Sequence, residues 1–262
     1  MIKNVTNPLL EPVELPQFSK IQPAMIKPAI DQLIEGNRTA ISELTARQRH
    51  DWDSLIKPLE LMNDRLDKAW SPVRHLNSVK SSPELRDAYN SCLPVLSEYS
   101  TEISQNRALY QAYRDIEASD EFENFSAAQR KTITDALLNF RLGGVELEGE
   151  ARDRYQQLQK DLSELQSGFE NNLLDSTQAW QYLTEDPAEL QGLPEYALSM
   201  LRQLAEQKKV PGYRLTLDMP CYLAVITYAD SRDLRKMIYR AYVTRASDQG
   251  ITDKIWDNAH NM

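Results

Sequence analysis

Residues 81–103, SSPELRDAYNSCLPVLSEYSTEI, open on two serines and a proline, then place Leu85, Tyr89, Cys92, Leu96, Tyr99 and Ile103 at steps of 4, 3, 4, 3 and 4. Ser82 is a helix cap by type, Pro83 suits the first helical position, and Glu84 complements the helix dipole. The stretch therefore predicts a helix with one apolar face, bent at Pro94. The residues ahead of it carry a matching seam: Leu55, Leu59, Met62, Leu66, Ala69, Val73 and Leu76 step by 4, 3, 4, 3, 4 and 3. Such spacing belongs to helices packed against each other at a shallow angle, with Pro58 confined to a first turn. Two adjacent long seams decide the class: a mainly helical protein, an antiparallel bundle of long helices.

Outward from this pair the same texture continues. Residues 1–22, with Pro8, Pro12 and Pro16, predict an extended arm lying on the body of the protein. From Pro23, the residues Ile26, Ile30, Leu33, Ile41 and Leu44 predict a helix that ends near the charged stretch 47–53. Ser126 and Gln129 form a capping box ahead of Ile133, Leu137 and Phe140, and Gly143 with Gly144 ends that helix. A long helix over about 148–175 follows, with Tyr155, Leu158, Leu162, Leu165, Phe169 and Leu173 as its inner stripe.

Near residue 183 the texture changes, as Pro187, Gly192, Pro194, Pro211 and Gly212 punctuate shorter elements. The expected organisation is therefore a helical domain over 1–182 and the start of a second helical region over 183–262. Tyr213–Asp218, YRLTLD, alternates and predicts at most one short strand or hairpin near 210–218. After Pro220 the helical period returns, and Leu234, Met237, Ile238, Ala241 and Tyr242 share one face. Beside them Arg232, Lys236 and Arg240 form a basic stripe. No fixed-period repeat runs through the chain.

The 262 residues are 41% hydrophobic and 26% charged with only 8 glycines, a globular profile. Thirty basic against 39 acidic residues give a net charge of −9, which excludes general electrostatic support for nucleic acid binding. No window reaches the roughly 18 apolar residues of a membrane helix, and the N-terminus lacks the unbroken apolar segment of a signal peptide. The two cysteines, Cys92 and Cys221, sit in apolar helical patterns and read as core residues. A cytoplasmic setting is expected.

Chemistry is sparse. A zinc hydrolase needs two imidazoles four residues apart on a helix, as in H-E-x-x-H. The three histidines, His50, His75 and His260, share no helical face, and Asp257 with His260 is the nearest approach to a ligand pair. His75 reads as a hydrogen-bonded histidine at a helix end. There is no G-x-S-x-G and no phosphate loop, and neither cysteine has a neighbouring histidine or basic cluster to activate it. The carboxylates Glu146, Glu148, Glu150 and Asp153 read as a solvated helix face. Residues 232–245 hold five basic residues and one acid, Asp233. This stretch either pairs with acidic neighbouring helices, the reading favoured here, or meets the carboxylate of a peptide or an acidic partner. No catalytic, cofactor-binding or metal-binding residue is assigned.

Three long blocks carry a resemblance: TNPLLEPVELPQFSKI at 6–21, SPVRHLNSVKSSPELRDAYNSCLPVLSEYS at 71–100, and MIYRAYVTRASDQG at 237–250. With them the chain resembles the N-terminal part of the thimet oligopeptidase-like family of zinc metallopeptidases. The resemblance implies a mostly helical protein in two lobes around a deep channel that admits short, unstructured peptides, including released signal peptides. It also implies zinc held by H-E-x-x-H and a downstream glutamate, all beyond Met262. The chain is then expected to be an N-terminal fragment, inactive alone, that forms a channel wall and meets the missing catalytic region.

Its last helix would start after Trp256 and Asp257 and fray or be borrowed by a neighbour. Apolar surface is expected around Tyr222, Val225, Tyr228, Ile238 and Tyr242, which favours a dimer that the longer protein need not form. The competing expectation is a stand-alone helical interaction domain without enzymatic activity.

Overall fold

The computed structural model describes residues 7–11, 14–249, 256–259 and 261–262. Nine α-helices and one two-stranded sheet account for its regular structure among these residues, as the apolar periods demand. The chain divides into two compact units, Met1–Glu164 and Leu165–Met262.

The N-terminal unit starts with a short turn at Phe18–Lys20, followed by α1 (Pro23–Thr45). Pro23 opens α1, where its missing N–H costs nothing. A wide turn at Trp52–Ile56 leads into α2 (Lys57–Val79), with Pro58 in the first turn. Asp51 accepts from Ser54 N at 2.8 Å and Ser54 Oγ accepts from Asp51 N at 3.0 Å, so two N–H groups at the start of that turn are satisfied.

The deciding stretch is α3 (Pro83–Ser104), capped by Ser82 and continuous through Pro94. Its face of Leu85, Tyr89, Cys92 and Tyr99 packs with Ile26, Ile30, Leu33, Ala69 and Val73 of α1 and α2. Beyond it lie α4 (Arg107–Glu117), α5 (Ala127–Leu142) and the first half of α6 (Gly149–Ala179). A second cluster joins Leu44, Leu55 and Ile56 to Leu109, Ile116, Ile133 and Leu137. The predicted capping box holds α5: Ser126 N donates to Gln129 Oε1 at 3.0 Å and Gln129 N to Ser126 Oγ at 3.3 Å.

One expectation fails on α6. Leu158, Leu162, Leu165 and Phe169 are between 37% and 47% exposed, and Ser176 is the buried residue of the helix. The period marks one face, of which Tyr155 and Leu173 are half-buried and the other four residues exposed.

The C-terminal unit holds β1 (Gln181–Thr184), α7 (Glu195–Gln207), β2 (Tyr213–Thr216), α8 (Met219–Tyr228) and α9 (Arg232–Val243). The strand read from YRLTLD is β2, and its antiparallel partner is the distant β1, with Gln181 opposite Thr216 and Thr184 opposite Tyr213. The core gathers Trp180, Leu190, Leu201, Leu215, Leu217, Val225 and Ile238. The division between units falls inside α6, ahead of the punctuation near 183. The second half of α6 is tied to later residues: Ser176 Oγ accepts from Ala246 N at 3.0 Å, and Asn258 Oδ1 accepts from Asn172 Nδ2 at 3.0 Å.

Candidate functional site

The reactive residue types lie in places that disarm them. Cys92 and Cys221 are 0% and 1% exposed, and burial pushes both thiols above the ordinary cysteine value. Thr216 N donates to Cys221 Sγ at 3.3 Å, holding the thiol inside the core. His50 Nε2 lies 3.2 Å from Leu44 O. His75 lies in the penultimate turn of α2, where its ring packs against Phe18 at 5.6 Å, a ring contact in place of the side-chain hydrogen bond expected for it. The pair Asp257 and His260 cannot be placed, because His260 lies outside the described residues. Among the described residues no three His, Cys, Asp or Glu side chains converge as a bound metal needs.

The acidic helix face divides. Glu148 meets Arg107 at 2.8 Å, Glu146 accepts from Tyr110 at 3.4 Å, and Glu150 and Asp153 are exposed. An open groove of about 1040 Å³ lies between the arm and α2, walled by Leu10, Phe18 and Pro72 with Glu14 and Lys68 at its edge. Lys68 is already matched by Asp64 at 2.6 Å.

The basic stripe is different. Ser231 caps α9 by accepting from Leu234 N at 3.2 Å, and Leu234, Ile238 and Ala241 fix the helix to the core. Their burial turns Arg232, Lys236, Tyr239, Arg240 and Val243 outward, all exposed. The five basic residues of 232–245 then separate by role. Arg235 Nη1 donates to the carbonyls of Ala229 and Asp230, closing the turn ahead of α9. Arg245 lies 3.7 Å over the Tyr242 ring, which stacks on Tyr222 at 4.1 Å.

Arg232, Lys236 and Arg240 have no carboxylate within 4.0 Å among the described residues, unlike Arg202 of the same unit, which pairs with Glu195 at 3.1 Å. The pairing expected with acidic neighbouring helices is not made among the described residues, where the helix turns the stripe to solvent. The arrangement has no nucleophile and no general base, but it can hold an anion.

The expected apolar surface is also corrected. Val225 and Ile238 are 0% exposed because they face Cys221 and Leu234 in the core, and Tyr222 and Tyr242 are half-buried in their stack. Of the five only Tyr228 is exposed, edge-on to Tyr196 at 6.5 Å. Beside Tyr228, the outward apolar positions of α8 and α9 are Met219, Leu223, Tyr239 and Val243. A one-position shift along a helix turns a side chain by about 100°, which suffices to exchange inside and outside.

Comparison with known proteins supplies the rest. The family model described as the neurolysin/thimet oligopeptidase N-terminal domain matches residues 30–152. Oligopeptidase A of Haemophilus influenzae is 49% identical over 259 residues, covering 99% of this chain and 38% of that protein. Oligopeptidase A of Escherichia coli is 47% identical over 259 residues, covering 98% and 38%. The probable cytosolic oligopeptidase A of Arabidopsis thaliana is 31% identical over 249 residues, covering 92% and 36%. The chain spans about 38% of the length of the bacterial relatives it matches.

Proposed function

This chain belongs to the thimet oligopeptidase family, matching the N-terminal part of its oligopeptidase A relatives, and from that premise we propose that it serves a zinc-dependent endopeptidase acting on short, unstructured peptides. In this reading the chain forms a wall of the substrate channel and limits access by size, and the peptides include released signal peptides. Zinc would be held by H-E-x-x-H in a region beyond this sequence; among the described residues no three His, Cys, Asp or Glu side chains converge on a metal. No chemical step is therefore derived on these residues. A cytoplasmic location accords with the relative named as cytosolic. The catalytic region is the partner that the exposed apolar positions of α6 and α8 would meet, and neither nucleic acid nor a membrane is a partner in this reading.

The observation that carries the proposal is the match to oligopeptidase A along 99% of the chain. The source gene, read in frame past the codon for Met262, tests it. Continuation into H-E-x-x-H with a later glutamate is the expected result. A stop codon there overturns the peptidase reading and leaves a helical interaction domain.

A further inference from the structure

The outer face of α9 keeps three cations where the isolated helix gains little from them. Arg232 is the first residue of the helix, where the dipole opposes a positive charge. Arg232, Lys236 and Arg240 follow one another at four-residue intervals, so each repels the next across one turn. Only Arg240, in the last turn, is favoured by the dipole. Asp233, exposed in the first turn, is the one acid of the helix, and no described carboxylate, Asp233 included, lies within 4.0 Å of the three cations, in a chain whose net charge is −9.

The spacing has a counterpart. Four helical residues advance about 6 Å, and alternate residues of an extended peptide are about 6.6 Å apart on one side. Tyr239 and Val243, 51% and 52% exposed, supply an apolar margin along the same face.

We propose that this face of α9 is a docking strip for short acidic peptides bound in extended form, with carboxylates at alternate positions meeting Arg232, Lys236 and Arg240. This rests on the peptidase reading and narrows it to a class of substrate. The strip is made of side chains within one helix of the C-terminal unit, so it can be tested by binding on this chain, independently of hydrolysis.

The experiment is fluorescence anisotropy with a rhodamine-labelled decapeptide of alternating Glu and Ala, against the same peptide with Gln for Glu. The acidic peptide is expected to bind about tenfold more tightly at low salt, with the difference fading as salt screens exposed pairs. The triple variant Arg232→Gln, Lys236→Gln, Arg240→Gln is expected to lose that preference with an unchanged circular dichroism spectrum. The charge-reversed variant, with Glu at the same three positions, is expected to prefer an alternating Lys and Ala decapeptide.

Equal binding of the acidic and neutral peptides, binding of neither, or a preference that survives the Gln substitutions overturns the proposal. So does a triple variant that changes only self-association in sedimentation, which would assign the face to an acidic surface of a second copy. Failure here leaves the peptidase reading standing, since that depends on the motif beyond Met262.

Discussion

Tyr113 shows how burial becomes a pH dependence. Its side chain is enclosed in the second core cluster, and burial, aided by the nearby charge of Glu60, pushes its hydroxyl up to about 12 from 10. The folded protein therefore prefers the protonated phenol more strongly than the unfolded chain does. This contribution is whole below pH 10 and is lost as pH rises through about 12. It amounts to about 2–3 kcal/mol. Tyr113→Phe should flatten the fall in stability between pH 10 and 12 measured by urea unfolding; an unchanged slope would contradict the account. Ile238 gives the matching test of the packing. It is fully buried, so Ile238→Ala should cost about 2–4 kcal/mol, whereas the adjacent exposed Tyr239→Ser should cost within about 0.5 kcal/mol. The sequence pattern placed Ile238 both on a helical stripe and on an exposed patch, and only the packing of α8 separates the two.

At the scale of elements, the turn joining α8 to α9 depends on Gly192. Its φ is +89°, and a Cβ there would lie 2.2 Å from Tyr228 O and 2.8 Å from Asp230 N. Asp230 N donates to Gln191 O at 2.8 Å, so backbone meets backbone with no room between. Gly192→Ala should cost about 2 kcal/mol or more, visible as a lowered thermal midpoint; an unchanged midpoint would deny this close approach. Helix starts were legible because Ser82, Ser126 and Pro23 act on their own neighbours. The strand β1 was not, because QYLT is four residues long and its partner is some thirty positions away. Likewise the α6 stripe was legible as a period, whereas how far each of its residues is buried depends on tertiary packing, which no local pattern records. The expected terminal helix after Trp256 falls partly outside the described residues; Asn258 is 3% exposed and donates to Phe169 O at 3.2 Å, so this part of the tail is held by α6.

At the scale of the molecule, no metal-binding group of His, Cys, Asp or Glu converges among the described residues, and the candidate site is the basic face of α9. The basic face of α9 was visible in the sequence as five cations among six charges. Which three face outward without carboxylates required the fold, since Arg235 and Arg245 are used locally. The family was legible only through the long blocks at 6–21, 71–100 and 237–250, because no metal-binding or nucleophilic motif appears in the sequence pattern.

The apolar positions left exposed on α6, α8 and α9 should make the chain self-associate at high concentration, which sedimentation velocity would register; a clean monomer would count against it. The central claim is tested most directly by peptide hydrolysis with and without a chelator, comparing this chain with the protein translated from the same gene past Met262. The account predicts turnover of a quenched fluorescent peptide by the longer protein, lost with chelator and restored by zinc, and none by the 262-residue chain. Chelator-sensitive turnover by the 262-residue chain itself, surviving repurification, would contradict it.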